Sequence, residues 1–73
     1  MSPFSVALRT LRAQLALGQG EFARRVGYRQ TYISALECGT KRPKDRDLVR
    51  RIVVSLNLTN DDENTLWRAY TIS

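Results

Sequence analysis

Few side chains in this sequence could act on another molecule, and their types narrow the chemistry. Of 73 residues none is His, one is Cys and one is Met. A serine or cysteine triad, an imidazole base and a His-containing metal site are therefore excluded. One thiol can form neither an internal disulfide nor a Cys-rich zinc site, so nothing marks the chain as secreted. Cys38 has no base to activate it and reads as a packing or surface thiol. Asp61-Asp62-Glu63 has the acidic density of a cation site, but acidic residues opening a helix are explained by its dipole. No metal and no cofactor is implied. What remains is hydrogen-bonding and cationic: Gln19, Gln30, Thr31 and Ser34, with Arg29, Lys41, Arg42 and Lys44.

The cations are unevenly placed. Residues 1–54 carry eleven basic and four acidic side chains, a net of +7, while residues 55–73 carry one basic and three acidic, a net of −2. Together they make the overall +5. A basic body with an acidic end suggests a polyanion on one side only. The plain alternative is a solvated surface. No apolar run approaches the roughly 18 residues of a membrane span, and no signal-peptide pattern is present.

These groups must be held by a small helical body. A hydrophobic content of 42% suffices for one core. A domain of this size buries only about 60% of its unfolded surface, so tight packing or a partner subunit matters. Phe4, Leu8, Leu11 and Leu15 recur at four, three and four, one face of a first helix opened by Ser2-Pro3. Phe22, Ala23 and Val26 form a short second face that Gly27 stops. Ile33, Leu36 and Glu37 form a third, stopped at Gly39. A basic loop, Thr40-Lys41-Arg42-Pro43-Lys44, leads to a fourth helix with Leu48, Val49, Ile52, Val53 and Leu56, capped by Asp45. Thr59 caps a fifth bearing Leu66, Trp67 and Tyr70. No strand alternation persists. Residues 1–73 read as a single domain.

Within it, residues 19–37 predict two short helices joined by Gly27-Tyr28-Arg29, too tight a turn for antiparallel packing, so they must cross steeply. Gln19-Gly20-Glu21-Phe22-Ala23, Gly27, Ile33-Ser34, Glu37-Cys38-Gly39, Pro43 and the Leu-rich Leu48–Leu56 strongly resemble the phage-repressor and Cro-like helix-turn-helix family, also called the xenobiotic response element family. The resemblance covers about residues 5–58 and implies an all-α, five-helix, lambda-repressor-like DNA-binding domain. Two capping positions depart from the family, Gly18 and Arg29 standing where Ser or Thr is usual. Gly is an acceptable cap, whereas Arg29 cannot accept the orphan N–H bonds, which blurs the start of the third helix by a residue or so.

By that resemblance the third helix, about residues 30–38, enters the major groove. Gln30, Thr31, Ser34 and Ala35 face away from its apolar side and become the base contacts. Gln pairs with adenine edges, Thr bonds a base or packs on a thymine methyl, and Ala35 offers only a methyl. Gln19 becomes a backbone clamp at a helix N-terminus. Lys41, Arg42 and Lys44 reach phosphates or an adjacent minor groove, and Arg29 and Tyr32 flank them, with sideways packing the alternative for Tyr32. Arg24, Arg25, Arg50 and Arg51 read as solvated surface. Arg12 at the edge of the first stripe and Glu37 on the inward face of the third are expected to form a largely buried structural ion pair. Val54, off its helix's apolar stripe, with Trp67 and Tyr70, is the expected dimer contact.

The implied function is specific duplex-DNA binding by a cytoplasmic, nucleoid-associated transcriptional regulator, a repressor acting as a homodimer, with no enzymatic step and no membrane. The rival reading uses the same fold as the antitoxin of a toxin partner protein, or as a restriction–modification controller.

Overall fold

The computed structural model describes residues 2–72 and contains five helices and no strand among them. They are α1 (Pro3–Gln14), α2 (Gln19–Val26), α3 (Gln30–Cys38), α4 (Arg46–Leu56) and α5 (Asn60–Thr71). The all-α expectation agrees with this architecture, and each boundary has a local cause. Ser2 and Ser5 cap α1 reciprocally: the Ser5 N–H donates to Ser2 Oγ at 3.1 Å and the Ser2 N–H to Ser5 Oγ at 2.9 Å. The Asp45 side chain accepts the Leu48 N–H at 3.3 Å, and Thr59 accepts the Asp62 N–H at 3.2 Å. Gly27 and Gly39 end α2 and α3 with φ of 81° and 80°, in the left-handed region open to glycine. Neither Gly18 nor Arg29 supplies a side-chain cap, yet α3 begins directly at Gln30.

Every helix contributes to one core. Phe4, Leu8 and Leu11 come from α1, Phe22, Ala23 and Val26 from α2, and Ile33 and Leu36 from α3. Leu48, Val49 and Ile52 of α4 and Leu66 and Ala69 of α5 complete it. Burying such side chains stabilises by roughly 1.5–3 kcal/mol each before chain entropy is counted. One expectation is corrected. Leu15 lies beyond the last residue of α1 as its cap and is exposed rather than continuing the apolar stripe, because Ala16 turns the chain away with φ 55°. Trp67 packs partly buried against Tyr70, ring centroids 6.0 Å apart and edge-on, with its Nε1–H donating to Glu63 Oε2 at 3.2 Å.

Candidate nucleic-acid interface

The turn Gly27-Tyr28-Arg29 sets α3 across α2, and Ala23, almost fully buried, lets the two helices approach. Ile33, Leu36 and Glu37 are the buried side of α3. The other side begins with Gln30 and Thr31, both exposed, followed by Ser34 and Ala35, both half-buried. Gln30 leans back over the first turn of α2: a Cβ added at Gly20 would stand 3.2 Å from Gln30 Oε1. The absence of a side chain at Gly20 therefore leaves room for that amide.

Behind this face lies a polar bracket. Arg12 Nε donates to Glu37 Oε2 at 2.7 Å, and Arg12 Nη2 to Glu37 Oε1 at 3.0 Å, the two-pronged geometry that a planar guanidinium favours. Arg12 Nη1 also donates to the Leu17 carbonyl at 3.0 Å, and Gln19 Nε2 donates to Glu37 Oε1 at 3.2 Å. One carboxylate thus ties α1, the α1–α2 connection and the start of α2 to α3. The hydrogen bond to Glu37 raises the Arg12 guanidinium above its ordinary pKa, with burial opposing it. The pair is buried on one side only, since the side chain of Glu37 is 3% exposed and that of Arg12 24%. Arg12 sits at the margin of the α1 stripe and keeps part of its head in water, while Glu37 is enclosed.

The remaining site residues divide. Arg29, Lys41, Arg42 and Lys44 are exposed around the ends of α3. Gln19 is at the N-terminus of α2, but its amide nitrogen is turned to Glu37 rather than outward. Tyr32 follows the sideways alternative: its hydroxyl is buried with no well-formed hydrogen bond. Burial pushes that phenol up from its ordinary pKa, and the neighbouring Lys44 backbone opposes the shift only in part. A buried oxygen cannot meet a phosphate, so the Tyr32 hydroxyl is withdrawn from the set. Arg24 and Arg25 both pair with Glu21, Arg25 at 2.9 Å, and hold that carboxyl below the usual range, Arg24 contributing more. Of the expected dimer contacts, Val54 is 79% exposed, whereas Trp67 and Tyr70 are half-buried against the core.

Three contacts had no counterpart in sequence spacing: Gln19 with Glu37, Arg12 with the Leu17 carbonyl, and Arg51 of α4 over the ring of Tyr28. Each depends on how helices meet, and no periodicity signals it. Among the described residues no group of three or more His, Cys, Asp or Glu could hold a metal ion, and no helix is long and apolar enough to cross a membrane. A groove of about 400 Å³ between α1 and α5 is lined mainly by apolar side chains, among them Ala7, Leu11, Leu66 and Ala69, with Asp62 and Arg68 also on its lining.

Comparison with known proteins agrees with this geometry. A family model described as a helix-turn-helix domain matches residues 3–66. No curated protein and no solved structure matches the chain. The match spans all of α1 to α4 and the first half of α5, with the α2–turn–α3 unit inside it, and the chain accordingly belongs to the helix-turn-helix domain family, in the Cro-like superfamily of DNA-binding regulators.

Proposed function

We propose that this domain binds a specific duplex-DNA site as a transcriptional repressor, with the N-terminal end of α3 in the major groove. The observation that carries the reading is the exposed pair Gln30 and Thr31 at the start of α3, with the exposed cations Arg29 just before the helix and Lys41, Arg42 and Lys44 in the loop after it. Amide and hydroxyl groups read base edges, and cations hold phosphates without regard to sequence. Ser34 and Ala35, one turn further on, complete the base-reading set at closer range to the protein. The backbone N–H groups opening α2 at Gln19 remain a phosphate seat although the side chain is engaged inside.

One recognition helix reads only a few base pairs. A homodimer on half-sites about 34–36 Å apart supplies the rest of the specificity. Val54, exposed on α4, is the strongest of the expected dimer contacts, ahead of the half-buried Trp67 and Tyr70 of α5. The activity is binding, without a chemical step, at a prokaryotic nucleoid.

Selection of bound sequences from random duplex DNA tests the reading. A defined, two-fold-related site is expected. On that site Gln30→Ala should cost about 1–3 kcal/mol and relax preference at one position per half-site. Selection that returns no preferred sequence, or a Gln30→Ala variant that keeps both affinity and preference, refutes the groove assignment.

A further inference from the structure

Arg51 and Lys41 come from different segments, α4 and the loop after α3, yet each lies over a tyrosine ring. The Arg51 guanidinium carbon is 5.1 Å from the centroid of Tyr28, and Lys41 Nζ is 5.9 Å from that of Tyr32. The two rings are themselves neighbours, with centroids 5.4 Å apart and planes inclined at 46°. The four side chains form one ladder, cation–ring–ring–cation, running from α4 past the helix-turn-helix turn to the basic loop.

Both rings are partly buried against the core. The hydroxyl of Tyr32 is buried beneath the loop, at the backbone of Lys44, so its ring cannot swing away. Tyr28 follows Gly27, where a Cβ would stand 3.3 Å from Arg51 Nη1, so the missing side chain leaves the guanidinium its place. The cations themselves remain exposed. Cations within about 6 Å of a ring centroid are attracted to its negative face. That attraction narrows the rotamers of two long side chains before any ligand arrives, and less ordering is then left to oppose association.

We propose that Tyr28 and Tyr32 are positioning residues that hold Arg51 and Lys41 ready as phosphate contacts at the two ends of the ring pair. The inference rests on the DNA-binding reading and adds to it Arg51, a residue outside the recognition helix and the basic loop. The tyrosines touch no DNA in this scheme and act only through their cations.

The test is a pair of double-substitution cycles, read as affinity for a duplex site selected from random DNA over a series of salt concentrations. Tyr32→Leu, Lys41→Met and their combination form one cycle, and Tyr28→Leu, Arg51→Met and their combination the other. Each Leu variant should bind about two- to fivefold more weakly on every sequence, with base preference unchanged. Each should lose nothing more once its own cation is already Met. Tyr28→Phe and Tyr32→Phe keep the ring face and should bind as the unaltered chain does. A Leu loss that persists undiminished in the Met background overturns the proposal, as does a Phe variant as weak as the Leu variant. A readout without DNA stands beside these and covers a Leu variant that fails to fold. In the free, unaltered protein the terminal methylene protons of Lys41 and Arg51 should show upfield ring-current shifts, and unshifted resonances overturn the ladder. Loss of both the DNA-binding reading and this inference shows as no duplex binding by the unaltered chain. Duplex binding with purely additive cycles refutes this inference alone.

Discussion

The bracket around Glu37 leads to an asymmetric prediction. Removing Arg12 and removing Glu37 break the same ion pair but leave different charges behind. Arg12→Met leaves a carboxylate that is 3% exposed, with only the Gln19 amide still donating to it. An uncompensated buried charge costs about 3–5 kcal/mol, and the surviving amide holds this one near the lower end, about 3 kcal/mol. Glu37→Gln leaves a guanidinium that is 24% exposed and still bonded to the Leu17 carbonyl. Water reaches that group, and the new amide oxygen can accept one of its hydrogen bonds, so the expected loss is only about 1–2 kcal/mol. The ordering matters more than either figure. Urea unfolding followed by the fluorescence of the single Trp67, half-buried in the native state, provides the assay. With a urea slope near 1 kcal/mol/M, at the low end for small domains, Arg12→Met should lower the midpoint by roughly twice as much as Glu37→Gln. The combined variant should cost clearly less than the sum of the two, since neither lone charge is then left. Equal costs, the reverse order, or a coupling near zero would refute the argument from one-sided burial.

Other substitutions test single features. Arg29→Ser supplies α3 with the side-chain cap it lacks and should raise unfolding stability by about 0.5–1 kcal/mol, while weakening binding to all duplex sequences alike; melting and DNA titration of one sample check both. Gly27→Ala meets a φ of 81° and the Arg51 side chain, and should lower stability by about 1–2 kcal/mol in chemical unfolding. Ala16→Gly relieves the left-handed residue behind α1 and should instead raise stability, by up to about 1 kcal/mol. Tyr32→Phe removes a buried hydroxyl with no well-formed bond and should leave stability at neutral pH unchanged or slightly higher. At alkaline pH the same variant gains an advantage. The phenol is raised above its ordinary value of 10.0, so the fold favours the neutral form, and the stability this supplies is complete below pH 10 and lost as pH rises beyond it. Unfolding curves for the two proteins should therefore separate above pH 10, and curves that stay parallel would count against a buried phenol.

What could be read from the sequence follows from how local each feature is. Ser2, Asp45 and Thr59 cap the helices their positions suggest, and Gly27 and Gly39 stop them, because a cap or a left-handed terminator is decided within four residues. Leu15 was misplaced because a periodic stripe says nothing of where its helix ends, and Ala16, a residue with no turn signature, ends this one. The polar side of α3 follows from the same short-range rule, since Ile33 and Leu36 facing inward oblige Gln30 and Thr31 to face outward. Trp67, Tyr32 and Gln19 belong to another class. Each has an apolar body or an amide that serves equally well inside or outside, and packing between helices decides: Trp67 lies on Tyr70, Tyr32 goes under the basic loop, and Gln19 turns to Glu37. The same holds for Arg51, an exposed cation among many until the fold sets the Tyr28 ring beneath it. The groups proposed to read DNA are thus legible because they need only point away from a core. The groups that give them a fixed orientation are not legible, because a fixed orientation requires a partner on another helix. For a regulator this division has a physical consequence. Residues on the reading face can change with little effect on the fold, whereas Arg12, Gln19 and Glu37 are joined across three helices, and removing any one of these groups should change stability together with the orientation of the reading helix.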